Sequence, residues 1–147
     1  MNRLIIYLTI WVLGNFSTIT MAQDSIPPVL KRSTKSAVMK LSTSLESGKS
    51  DDLVASDYEV LAKTLIEQGE YEKAENYLLN ARKLYDKLKD KEKTARMDRE
   101  IGRIQETLGK IDAAILSYAS AAHLSRNEEF RELNNNDVNR LKNFSDP

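Results

Sequence analysis

The chain has 147 residues, 30% of them charged and 7% aromatic, and 22 Lys and Arg balance 22 Asp and Glu. That neutrality points away from nucleic acid or an anionic membrane surface as a partner. The lack of cysteine and the single histidine, His123, exclude disulfides and thiolate sites and leave a zinc site or a histidine acid–base pair without partners, so no metal, cofactor or enzymatic activity is expected.

Residues 1–22 read as a secretory leader. Arg3 supplies the positive start, Leu4–Leu13 the short apolar stretch, Gly14 and Asn15 a break, and Thr20-Met21-Ala22 a small-residue end. Cleavage after Ala22 would leave Gln23 first, with no cysteine there to take a lipid. The mature chain would be periplasmic or secreted and slightly acidic, 21 positive charges against 22 negative. An uncleaved anchor is the rival reading, since Leu4–Ala22 carries no charge, but Asn15, Ser17, Thr18 and Thr20 make its second half poorly apolar. Membrane contact is expected only if that segment stays, or if the chain continues past Pro147. A linker follows over 23–29.

The rest of the chain predicts helices. Leu30, Thr34, Ala37, Val38, Leu41 and Leu45 keep helical spacing up to Gly48, a packing helix within 30–49. Ser50-Asp51-Asp52 then offers an N-cap and an acidic first turn. Tyr58, Leu61, Ala62 and Leu65 form one helical stripe, Gly69 ends it, and Tyr71, Ala74, Leu78 and Ala81 form a second after the turn. The alanines sit where two helix axes cross closely, with large residues beside them. The arrangement returns with Ile101 and Gly102, then Gly109, Ile111, Ala114, Tyr118 and Ala121, and the marker glycines are 40 residues apart. Asp98 stands where Tyr58 stood and Gln105 where Leu65 stood, so the second copy is degenerate. Helices are expected near 30–47, 51–68, 71–88, 91–108, 111–126 and 129–144, giving hairpins over 50–89 and 90–127 and a final helix within 128–147.

This small/large pattern around a central glycine resembles the tetratricopeptide repeat, whose unit is about 34 residues. The resemblance implies an all-α stack of antiparallel helix hairpins, a short α-solenoid, with Leu88–Lys93 holding the surplus length as a charged connector or helix extension. It implies a scaffold that binds a protein or peptide. Exported arrays of this longer type also resemble the periplasmic input regions of bacterial sensor histidine kinases, the alternative reading. Advancing the repeat by 40 residues places Val138 and Leu141 on the buried side of a last first-type helix, either a polar cap or the front of a further hairpin.

In the family, the first helix of each hairpin lines a concave groove. Spacing places Ser56, Glu59 and Lys63 there from the first hairpin, Arg96, Arg99 and Arg103 from the second, and Asn136, Asn139 and Asn143 with Arg140 from the last helix. Arginine forks suit carboxylates, and asparagine can pair with both polar groups of an extended backbone, so the guest expected is acidic or carboxylate-bearing. Glu92, Arg96 and Glu100 at i, i+4 also read as an ordinary solvated face. His123 reads as a packing or surface residue. Adjacent Glu128 and Glu129 diverge on a helix and make no dyad, and Asn143-Phe144-Ser145 matches a glycosylation sequon that chance often supplies.

Overall fold

The computed structural model describes residues 28–145, and the leader expected over 1–22 lies outside them. Six helices follow in order: α1 Pro28–Glu46, α2 Asp51–Glu67, α3 Tyr71–Lys87, α4 Lys91–Thr107, α5 Ile111–Leu124 and α6 Glu128–Ser145. Each packs on the next, and no strand occurs among the described residues. None of the described helices is long and apolar enough to cross a membrane.

The predicted stripes become the seams. Leu61, Ala62 and Leu65 on α2 are buried against Ala74, Leu78 and Ala81 on α3, and Tyr58 stacks on Tyr77 with ring centroids 6.0 Å apart. Burying each leucine contributes roughly 1.5–3 kcal/mol. The main core runs from Ala37 on α1 to Ile104 on α4, and a second, smaller one holds Ala114, Tyr118, Val138 and Leu141 between α5 and α6.

Four turns share one geometry. Gly48, Gly69, Lys89 and Gly109 all take a left-handed backbone, φ +62°, +76°, +61° and +72°. After each of the last three, the next N–H reaches back to close the helix end: Glu70 to the carbonyl of Leu65 (2.9 Å), Asp90 to Tyr85 (3.0 Å) and Lys110 to Gln105 (2.8 Å). Leu88–Asp90 is therefore a tight turn, and Lys91–Lys93 already belong to α4. The length beyond a 34-residue unit lies in the helices, with α2, α3 and α4 at 17 residues each. Lysine at a left-handed position is sterically costly where glycine is not. Lys89→Gly is expected to stabilise the fold by about 1 kcal/mol, read as a raised thermal midpoint of the chain. An unchanged midpoint would mean the turn relaxes around the lysine.

Ser50 stands at the N-cap of α2 as expected, but its side chain makes no capping bond; the acidic first turn instead pairs outward, Asp51 with Lys87 (2.7 Å) and Asp52 with Lys93 (2.5 Å). On α1 the buried residues are Ala37, Leu41 and Ser44, while Val38 and Leu45 are exposed. Ser44 faces inward because its hydroxyl donates to the buried Asp57 carboxylate at 2.5 Å, which Lys40 also reaches at 2.7 Å. Burial pushes the Asp57 carboxyl up, but the hydrogen bonds from Lys40 and Ser44 outweigh it and hold it below the usual carboxylate range. Arg82 on α3 grips buried Asp98 on α4 in the same manner. Toward the helix that follows it, α1 thus plays the part that α3 plays.

The degenerate second copy is explained by satisfied polar groups. Asp98 also accepts from Ser120 on α5 (2.6 Å). Gln105 donates to Glu75 (2.8 Å) and accepts from Ser117 (2.7 Å), replacing an apolar contact with a chain of hydrogen bonds. No buried side-chain nitrogen or oxygen lacks a partner among the described residues.

The 40-residue register fails at the last helix. α2, α4 and α6 begin at residues 51, 91 and 128, so the second step is 37 residues. α5 has 14 residues against 17 in α3. Glu92 at the start of α4 accounts for the early stop. It accepts from the Ser125 hydroxyl (2.8 Å) and the Arg126 N–H (2.7 Å), pulling the chain out of helix with Ser125 extended. Val138 and Leu141 are buried as expected, but the residues flanking them fall on different faces from those a 40-residue step implies.

Candidate functional site

A groove of about 1050 Å³ runs across α2, α4 and α6. Its apolar lining comes from Val60, Ile66, Leu78, Met97 and Ile104, and its charged lining includes Glu59, Lys63, Arg99, Glu100, Arg103, Glu106, Asp137 and Arg140. Leu78, Met97 and Ile104 are buried core residues that floor the groove, and Val60, 44% exposed, is the apolar side chain open to a guest.

The structure brings Ser56, Glu59, Lys63, Arg99, Arg103 and Arg140 of the expected set to this groove. Arg96 is exposed outside the lining, as are Asn136, Asn139 and Asn143. With the 37-residue step, Glu100 and Arg103 correspond to Asp137 and Arg140, and these line the groove where the asparagines were expected. Sequence reasoning missed Val60, Glu100, Glu106 and Asp137. Val60, Glu100 and Glu106 share a helical stripe with Lys63 and Arg103 and were legible there; Asp137 required the shifted register.

The expected arginines differ in state. Arg99 is committed to the fold: its Nη1 donates to Asn134 Oδ1 (2.8 Å) and Asp137 Oδ2 (2.9 Å), and its guanidinium lies over the rings of Tyr118 and Phe130, 5.6 and 5.9 Å from their centroids. Arg140 forks onto both oxygens of Glu106 (2.7 and 3.0 Å) and reaches Asp137 (3.1 Å). These bonds hold the Glu106 carboxyl below its ordinary range against the effect of burial, with a smaller contribution from the Tyr118 hydroxyl, which donates to it at 3.1 Å. Arg103 makes only long contacts of 3.3 and 3.4 Å to Glu100 and is 63% exposed. Glu59 accepts from the hydroxyl of Tyr85; burial, and then this bond, push the phenol of Tyr85 up. Lys93 sits 5.0 Å from the centre of the same ring.

No group of three or more His, Cys, Asp or Glu among the described residues could hold a metal, and His123 is exposed. The arrangement is a groove with exposed Val60 set among charges of both signs over a floor of buried apolar side chains, carried mainly on α2, α4 and α6.

The profile of the tetratricopeptide repeat matches residues 52–127, more than half of the chain, from the first turn of α2 to the turn before α6. The chain belongs to the tetratricopeptide repeat family. No curated protein matches it. As a tetratricopeptide repeat protein it carries two matched hairpins, α2–α3 and α4–α5, flanked by α1 and α6. Tetratricopeptide repeats suggest a protein–protein interaction module, and the groove lies on the first helices of the hairpins, the side from which such stacks recognise guests.

Proposed function

We propose that this tetratricopeptide repeat protein is an exported module without catalysis of its own, which holds a peptide segment of another protein in the α2–α4–α6 groove. The observation that carries the reading is the groove itself: about 1050 Å³, with exposed Val60 set among polar and charged side chains over a floor of buried apolar residues. Its volume matches or exceeds that of ordinary small-ligand pockets, and its opening to solvent across side chains of three first-type helices suits a chain rather than an enclosed metabolite. Support for export is the leader-like composition of residues 1–22.

The test is selection of binding peptides from a random display library, followed by hydrogen exchange on the complex. Added protection should fall on α2 and α4. Val60→Glu should abolish binding, while Leu116→Glu, at an exposed position on α5 outside the groove lining, should leave it unchanged. Protection confined to α3 and α5, or binding indifferent to Val60→Glu, would remove the groove from the function. Export is tested separately by sequencing the N-terminus of the protein made in its own cells. Gln23 is expected there, and an intact Met1 in the cytoplasm would contradict it.

A further inference from the structure

The exposed side chains of α5 are Asp112, Leu116, Ala119 and His123, all on one helical stripe at i, i+4, i+7 and i+11. Leu116 is 71% exposed, more than any other leucine, valine or methionine among the described residues. On α3, 40 residues earlier, the same stripe reads Glu72, Asn76, Leu79 and Lys83, and every exposed residue of that helix is polar. On α5 the stripe is apolar in its middle and keeps a polar group only at each end. Neither Asp112 nor His123 has a side-chain partner among the described residues, and none of the four residues lines the groove.

The stripe is also palindromic. Its intervals are four, three and four residues. A second α5 laid antiparallel on the first, about a two-fold axis level with Ser117 and Tyr118, therefore sets Asp112 against His123 and Leu116 against Ala119, each contact made twice. We propose that the outer stripe of α5 is the docking surface for a second copy of this chain, joined as an antiparallel pair of α5 helices.

Charge and size both select this pairing. A carboxylate faces an imidazole at either end, and an imidazole N–H donates to a carboxylate whether or not the ring is charged. A parallel pair would instead place Asp112 against Asp112. Ala119 leaves space for the second copy's Leu116 and lets the two axes approach to about 8 Å. The flanking Ala113, Ile115, Ser117 and Ser120 bring no charge to oppose the contact. With 14 residues, α5 is about 21 Å long. One such helix pair buries less than the roughly 1,200 Å² of a stable complex, so the dimer is weak, with a Kd on the order of 0.1 mM. The surface lies apart from the groove and needs no guest in it.

The experiment is sedimentation velocity of the full chain from about 10 µM to about 1 mM, a range that brackets this affinity. A monomer–dimer equilibrium is expected. Leu116→Glu should weaken it at least tenfold with an unchanged circular dichroism spectrum, since the side chain is exposed. Asp112→Lys and His123→Asp should each weaken it several-fold, and the two together should restore it. Both changes oppose the dipole of α5 and so lower the thermal midpoint further in combination; recovery of the dimer there separates pairing from fold stability. Because the chain has no cysteine, single substitutions report the register. Asp112→Cys and His123→Cys should form a disulfide when mixed and not when each is alone, because like positions stand about 16 Å apart along the pair, beyond disulfide reach. Cross-linking of either variant alone would overturn the antiparallel register. A monomer at every concentration, which would leave Leu116 to some other protein, or a dimer indifferent to Leu116→Glu, would overturn the proposal.

Discussion

Replacing Tyr118 by alanine is expected to destabilise the fold by about 3–5 kcal/mol, the range for deleting a large buried aromatic side chain. Tyr118 is 2% exposed and heads the smaller core with Ala114, Val138 and Leu141. It also carries Arg99 over its ring and donates to Glu106, so its loss loosens the bonds that bind α6. The sharper form of the prediction concerns Gly102. In the first hairpin the corresponding pair is Ala62 and Leu78; in the second it is Gly102 and Tyr118, a smaller residue opposite a larger one. A Cβ on Gly102 would lie 3.1 Å from two ring carbons of Tyr118. Helix propensity alone favours alanine over glycine by about 1 kcal/mol. With the ring fixed on both its face and its hydroxyl, the clash should outweigh that preference, and Gly102→Ala should cost about 1 kcal/mol. In a Tyr118→Leu background the same change should become stabilising, because the pair then repeats the first hairpin. Urea unfolding of the four proteins gives the coupling, expected at roughly 1–2 kcal/mol. Strict additivity would show that Gly102 owes nothing to the tyrosine.

How far the sequence could be read follows from what each feature looks like in one dimension. The glycine turns and alanine seams are local patterns, so the helices, their pairing and the structural residues from Tyr58 to Ala121 were legible. Lys89 was not, because a left-handed lysine leaves no compositional mark; only the spacing from Gly69 to Gly109, with a turn midway, hints at it. Asp98 was visible only as a departure at the position Tyr58 holds in the first copy, and Asp57 and Ser44 carry no apolar mark. They are buried because a partner from the neighbouring helix satisfies each, and that pairing is visible only in three dimensions. The groove was half legible. Lys63, Arg99 and Arg103 follow from helical periodicity within matched hairpins. Asn136, Asn139 and Asn143 were misplaced because Glu92 shortens α5 from a site more than 30 residues upstream.

The second large effect is expected at Asp98, which ties α3, α4 and α5 together through Arg82 and Ser120. Asp98→Ala leaves the Arg82 guanidinium and the Ser120 hydroxyl without their acceptor. Breaking a fully buried ion pair from one side costs about 3–5 kcal/mol. Arg82 is 32% exposed, so water relieves part of its loss, and the expected cost is about 2–3 kcal/mol. Removing both charges while keeping volume, as in Asp98→Leu with Arg82→Met, should come close to neutral, because no charge then needs to be desolvated. Lys87→Ala provides the contrast: its bond to Asp51 is as short as many in the fold, yet Lys87 is 70% exposed, and such pairs are worth at most about 1 kcal/mol. Thermal and urea unfolding of these proteins orders the three effects. Because repeats are held together by nearest-neighbour interfaces, and the Arg82–Asp98 pair joins α3 to α4, Asp98→Ala should also uncouple α4–α6 from α1–α3, seen as faster amide exchange in the last three helices than in the first three. Uniform exchange throughout, together with a cost below that of Lys87→Ala, would mean that the apolar cluster of Leu78, Ala81 and Tyr85 with Met97 and Ile101 joins the hairpins without help from the buried pair.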